Sequence, residues 1–142
     1  MRTLLLRIVF AVYLVAVGLI VWSPQPDAGE FTGIVAIAAR WLEALGLPFE
    51  PSYVVLEILA NVALFVPFGV LAMTAFRWMR VWSTTAAALV TTGLIEGVQL
   101  FLPTRYSTVS DLIANTVGAL IGALLVAGWR RRALSAAASR PS

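Results

Sequence analysis

The sequence predicts an all-α protein: a polytopic membrane bundle of four transmembrane helices, with an additional amphipathic interfacial helix in the first outside loop. Three observations carry that expectation. Of 142 residues, 61% are hydrophobic and only 12% are charged, and mean hydropathy is +0.93, too apolar for one soluble globule with a charged surface. Four apolar runs each reach the roughly 20 residues that a spanning helix needs. Arginines gather at the ends of those runs rather than on a face.

The first run, Leu4 to Trp22 (about 4–22), follows Arg2 and Arg7. A cleaved secretory signal would open in the same way, but the stretch is long and no small-x-small site follows it, so an uncleaved span is the better reading. The connection from Ser23 to Ser52 carries Asp27, Glu30, Glu43 and Glu50 against Arg40 alone. Within it, Ile34, Ile37, Ala38, Trp41, Leu42 and Leu45 recur at helical spacing over 32–46, with Thr32 placed to cap the start and Gly46 the end. That segment is expected to lie along the outer membrane surface with Trp41 toward lipid, although a lid over the bundle shows the same pattern. The remaining spans are about 53–76, 81–102 and 109–129. Their short connections, Arg77–Arg80 and Pro103–Thr108, force an antiparallel hairpin series. Trp22, Trp82 and Trp129 stand at run ends as interfacial anchors do. The tail, 133–142, is expected to be mobile and cytoplasmic, and the whole chain, 1–142, to be one membrane domain.

All ten basic residues are arginine. Arg2, Arg7, Arg77, Arg80, Arg130, Arg131, Arg132 and Arg140 flank one set of ends, while only Arg40 and Arg105 lie in the other connections. The positive-inside rule therefore predicts a multi-pass protein with both termini in the cytoplasm. The net charge of +3 does not signal nucleic acid, because these arginines form no soluble basic face. Cysteine and histidine are absent, which removes thiolate nucleophiles, Ser-His-Asp chemistry and the usual transition-metal ligands. No metal and no cofactor is expected.

Glu96 lies inside an uncharged apolar stretch between Arg80 and Arg105. Carrying a carboxyl into hydrocarbon costs about 2.5–3.5 kcal/mol on insertion scales, so the residue marks a functional site with a partner. With the predicted orientation, Glu96 and Gln99 sit about 9 and 5 Å below the outer end of the third span and share a face. Glu57 and Asn61 open the second span, and Asp111 and Asn115 open the fourth. Arg105 lies in the loop above them, so these polar groups fall at similar depth under the outer surface.

The small residues indicate which faces meet. Gly93 and Gly97 form GxxxG, and Asp111, Asn115, Gly118 and Gly122 make a single stripe with Ala114 beside it. Close approach there is expected to bring Asn115 toward Glu96 or Gln99. Pro67, with Phe68 and Gly69 beside it, is expected to kink the second span.

Asn61-Val-Ala-Leu-Phe-Val-Pro-Phe-Gly69, Ile95-Glu96-Gly-Val-Gln99, Arg105, and Asp111-Leu-Ile-Ala-Asn115-Thr-Val-Gly118 with Gly122 resemble, in order and spacing, the VanZ-like family of small bacterial membrane proteins. The resemblance covers about the last two thirds of the chain. It implies a place in the bacterial cytoplasmic membrane and a role in cell-envelope function or tolerance of teicoplanin-type glycopeptides, but no reaction.

Plainer roles compete with a functional one. Glu96 serves as a polar clamp if it only joins Gln99, Asn115 and Arg105 in register. Thr108-Val-Ser-Asp111 has the form of a capping box, favoured by the helix dipole. Arg105 is a counter-ion or a bidentate hand for phosphate. The reading carried forward is a binding protein in the lipid bilayer, its ligand pocket made of Asn61, Glu96, Gln99, Arg105, Asp111 and Asn115, its ligand a lipid-linked cell-wall precursor or the glycopeptide itself. The alternatives are a small intramembrane enzyme on lipid head groups, with Glu96 and Asp111 as acid and base, and an accessory subunit of a membrane complex.

Overall fold

A computed structural model describes residues 1–22, 33–101 and 109–138. Every regular element among them is helical: α1 (Arg2–Trp22), α2 (Gly33–Ala44), α3 (Phe49–Ala75), α4 (Val81–Gln99) and α5 (Val109–Ala138). Arg105, Thr32 and Thr108 lie outside the described residues.

Three helix ends differ from expectation by three residues or more. α3 begins at Phe49 rather than 53, because Pro51 falls in the first turn, where no intrahelical N–H is needed. Glu50, in that same turn, complements the helix dipole. α4 ends at Gln99, three residues early. α5 continues through Arg130–Arg132 to Ala138, so 133–138 of the expected tail is helical: Ala-Leu-Ser-Ala-Ala-Ala is rich in strong helix formers, and no breaker occurs before Pro141.

α1, α3 and α5 are long and apolar enough to cross a membrane. α4 has 19 residues, and Ser83, Thr84, Thr85, Thr91 and Thr92 together with Glu96 and Gln99 lower its hydropathy. Its start is held by Ser83 Oγ, which accepts from the Arg80 backbone N–H at 3.0 Å.

Contacts between α3 and α5 are by far the most extensive, and they rise together in number along the two helices. Asn61 meets Asp111, Gly118 lies against Val62, Gly122 against Val66, and Arg130 donates to the Met73 carbonyl. The two helices are therefore parallel. Between them α4 runs back the other way. α1 is antiparallel to α3: Tyr13 Oη donates to Leu64 O at 2.7 Å, Phe10 packs on Phe68 and Phe76, and the Arg7 guanidinium lies 5.2 Å from the Phe76 ring centroid. Arg7, the Arg77–Arg80 turn and Arg130 thus share one end of the bundle. Asn61, Gln99 and Asp111 mark the other.

The packing is inverted relative to a soluble protein. Fully buried positions are mainly small or hydroxylated: Ala39, Ala75, Ala88, Ala119, Ala123, Thr84 and Thr92, with Phe65 the main exception. Leu4, Leu59, Leu94, Leu125 and all of Trp22, Trp41, Trp78, Trp82 and Trp129 face outward. Lipid tails solvate Leu as well as a core would, so association falls to small residues that admit close backbone contact. α2 follows the same rule. Ala36 and Ala39 seal against the protein, and Ile34, Ile37, Trp41 and Leu45 are exposed along one side, while α3 is the helix it packs on.

α3 passes without a break through Pro67, whose ring faces outward. Two residues on, Gly69 faces α5 so closely that a Cβ there would stand 2.1 Å from Ala119 O. Gly118 and Gly122 are equally tight, at 2.2 Å from Val62 O and 2.1 Å from Val66 O. Gly93 and Gly97 are not at a contact: no described atom comes within 4 Å of a Cβ built on either. The GxxxG face of α4 is therefore not the face it packs with, a correction to the expectation from sequence.

Candidate functional site

The packed face of α4 is instead its polar stripe. Thr84, Ala88, Thr92, Ile95, Glu96 and Gln99 are its buried residues, at the 3–4 residue spacing of one helical side. A polar side chain directed to hydrocarbon loses every partner, so orientation toward α1, α3 and α5 is set by Glu96, Gln99 and the threonines rather than by glycine.

Asn115, on α5, donates through Nδ2 to Thr92 Oγ1 at 2.9 Å. That partner lies one turn from Glu96 on the same side of α4. The other amide atom, Oδ1, is buried with no described partner, and a reversed amide would only exchange which atom is left over. Gln99 turns the other way and donates through Nε2 to the Val21 carbonyl of α1 at 2.9 Å, satisfying one of the four carbonyls a helix end leaves open.

Asn61, half-buried on α3, donates through Nδ2 to Asp111 Oδ1 at 2.5 Å. Asp111 thus holds α3 to α5 from the first turn of its own helix, where the dipole also favours it. Counting four residues from the Asn115–Thr92 bond along antiparallel α4 and α5 brings Asp111 to the level of Glu96, about 6 Å nearer the polar end. Glu96 is only 7% exposed and takes part in a polar interaction of its own. Glu57 is exposed on α3.

The structure therefore brings Asn61 to Asp111 and Asn115 to Thr92, sets Glu96 level with Asp111, and links Gln99 to α1. Arg105 lies outside the described residues. Thr92, Tyr13 and the Val21 carbonyl were missed from sequence. Thr92 had a readable signal, four residues before Glu96 on one side of α4. A backbone carbonyl leaves no such trace.

Chemically, this end of the bundle gathers two carboxyls, each already engaged, and one buried amide oxygen with no described partner. Such a set suits hydroxyl, amide or amine donors. Among the described residues no three carboxylates converge as metal ligands.

A sequence profile of the VanZ/LLP1 family matches residues 10–130. That span takes in most of α1 and all of α2, more than the last two thirds on which the resemblance rested. No curated protein and no solved structure matches the chain at a significant level. The profile match runs from α1 to the first arginine after Trp129, well over half of the sequence, and the chain belongs to the VanZ/LLP1 family.

Proposed function

We propose that the protein is a four-span component of the bacterial cytoplasmic membrane that binds an amphiphilic envelope molecule, a lipid-linked cell-wall precursor or a teicoplanin-type glycopeptide, at the outer face. In this reading α4 completes the set of spans, the arginine end is cytoplasmic by the positive-inside rule, and α2 borders the outer surface through Trp41 and Leu45. The observation that carries it is the buried Asn115, whose second amide atom has no described partner, one helical turn from the level of Glu96 and Asp111. An unsatisfied buried polar atom costs about 1–3 kcal/mol, more than a purely structural clamp would leave unspent.

Glu96, Gln99, Asn61 and Asn115 present hydrogen-bonding groups to the polar part of the ligand, and Arg105 holds an anionic group, for which a guanidinium is suited. Two carboxyls beside donors rather than beside an activated nucleophile favour binding over catalysis. The test is glycopeptide susceptibility of cells carrying Glu96→Gln or Arg105→Ala at membrane levels equal to the unsubstituted protein. Altered susceptibility in both is expected. Unchanged susceptibility in both removes the pocket.

A further inference from the structure

Between α1 and α4 lies a slot of about 520 Å³. Leu14, Val17 and Gly18 of α1 form one wall and Leu94 and Ile95 of α4 the other, with Phe65 of α3 as the floor. Its lining is almost entirely apolar. The one hydroxyl there, on Thr91, is already spent on the Ala87 carbonyl at 2.8 Å. Water entering such a space would find no partners.

Contacts hold α1 near both ends of the slot, which is open at the side. Toward the arginine end, α1 is clamped to α3 by Phe10 on Phe68, with ring centroids 5.4 Å apart, and by the Tyr13 bond to Leu64. Toward the polar end, Gln99 ties α4 to Val21, and the Trp22 ring lies over Gly18, 3.4 Å from where a Cβ would stand. From Leu14 to Trp22 the slot runs about 12 Å. Its side opening is rimmed by Val15, Leu19 and Leu94, all more than 60% exposed, and therefore meets lipid directly.

We propose that this slot holds one aliphatic chain of a membrane amphiphile, with the head group at the Glu96–Gln99 end. A partner helix is too wide: at 10–12 Å across it needs a trough running the depth of the membrane, not a slot about 12 Å long. A single hydrocarbon chain suits the short length, the apolar lining and the lateral opening. Ile95 and Val98, on the slot side of α4, alternate with Glu96 and Gln99, so a chain seated there ends at the polar cluster. The assignment of the head group rests on the function proposed above; the chain site does not.

The test uses the full-length protein in detergent, titrated with a phosphatidylglycerol carrying a diazirine in mid-chain, with cross-links mapped by mass spectrometry. Labelling is expected to saturate, to be displaced by unlabelled phosphatidylglycerol, and to fall within 14–22 and 91–98. Gly18→Trp fills the slot and should cut saturable labelling by at least about fivefold, as overpacking does. Leu94→Trp, at a rim position that is 67% exposed and so tolerant of size, should do the same; Leu124→Trp on the outside of α5 should not. Non-saturable labelling spread over exposed residues such as Leu124 and Leu125, or labelling indifferent to both slot substitutions, overturns the proposal. Slot labelling combined with unchanged susceptibility in Glu96→Gln and Arg105→Ala would leave the chain site standing and remove the envelope function; even labelling with altered susceptibility would do the reverse.

Discussion

Gly122→Ala should loosen the α3–α5 seam, and Gly97→Ala should not. A Cβ at Gly122 would stand 2.1 Å from Val66 O, 3.0 Å from Val70 N and 3.1 Å from Val66 C. All three are backbone atoms, so no rotamer change relieves the contact and the two helices must part by roughly 1 Å. A gap of 0.5–1 Å forfeits about a quarter to a half of each dispersion contact along the seam, and overpacking costs about 1–3 kcal/mol. The upper end applies because rigid backbone faces rigid backbone. Helix propensity returns about 1 kcal/mol on replacing Gly by Ala, leaving a net loss of about 2 kcal/mol, or roughly 30-fold in the unfolding equilibrium. At Gly97 and Gly93 nothing described lies within 4 Å, so only the propensity gain of up to about 1 kcal/mol remains. SDS titration of the purified protein in bicelles, followed by tryptophan fluorescence and circular dichroism, reads both effects. Equal midpoints for Gly122→Ala and the unsubstituted protein, or a loss at Gly97→Ala matching that at Gly122→Ala, would refute the assignment of the packed faces.

Thr92→Val leaves the whole Asn115 amide without its partner and should cost about 1 kcal/mol in the same titration, with Thr92→Ser restoring most of it; equal stability of the valine and serine variants would count against the bond. A double-mutant cycle of Asn61→Ala with Asp111→Ala should give a coupling near 0.6 kcal/mol and below about 1.7, the range of hydrogen bonds between membrane helices. A coupling indistinguishable from zero would mean the two side chains do not pair. Single cysteines at Gly29 and Ser135 test topology in cells: an impermeant thiol reagent should label the first and not the second, and the reverse pattern would put the polar end of the bundle in the cytoplasm.

The legible parts of this protein are those where one strong term decides the outcome. Apolar length placed the helices, and the arginines foretold an end shared by Arg7, the Arg77–Arg80 turn and Arg130. On α5 the stripe of Asn115, Gly118 and Gly122 was readable because polarity and small size fall on the same side, and all three are buried. On α4 they fall on different sides. Residues 92 and 93 differ by about 100° around the helix, and the side bearing Thr92, Glu96 and Gln99 wins over that of Gly93 and Gly97, because polar groups facing lipid lose their partners whereas a glycine facing lipid loses little. Gln99 shows a second limit. Its partner is a main-chain carbonyl of α1, and no side-chain pattern announces one. Along α2, helical spacing picked out the apolar side, but that side is exposed, and Ala36 and Ala39 make the contact with the protein.

Rigidity is unevenly shared around the polar cluster, and that bears on how a ligand could reach it. α3 and α5 meet backbone to backbone at Gly69, Gly118 and Gly122, and Asn61, Asp111 and Asn115 all stand on this seam, so their positions are fixed by contacts that cannot yield. α1 is different: only 6% of its spanning window is buried within the protein, and beyond Tyr13 it is held by buried Val17 in the core with Phe65 and Ile95 and by the bond from Gln99 to Val21. Segments with few buried contacts open at the lowest free energy. One neutral hydrogen bond between membrane helices contributes about 0.6 kcal/mol on average, comparable to thermal energy. The half of α1 nearest the polar end, which takes no part in the α3–α5 seam, is therefore expected to yield before Asn61, Asp111 or Asn115 do.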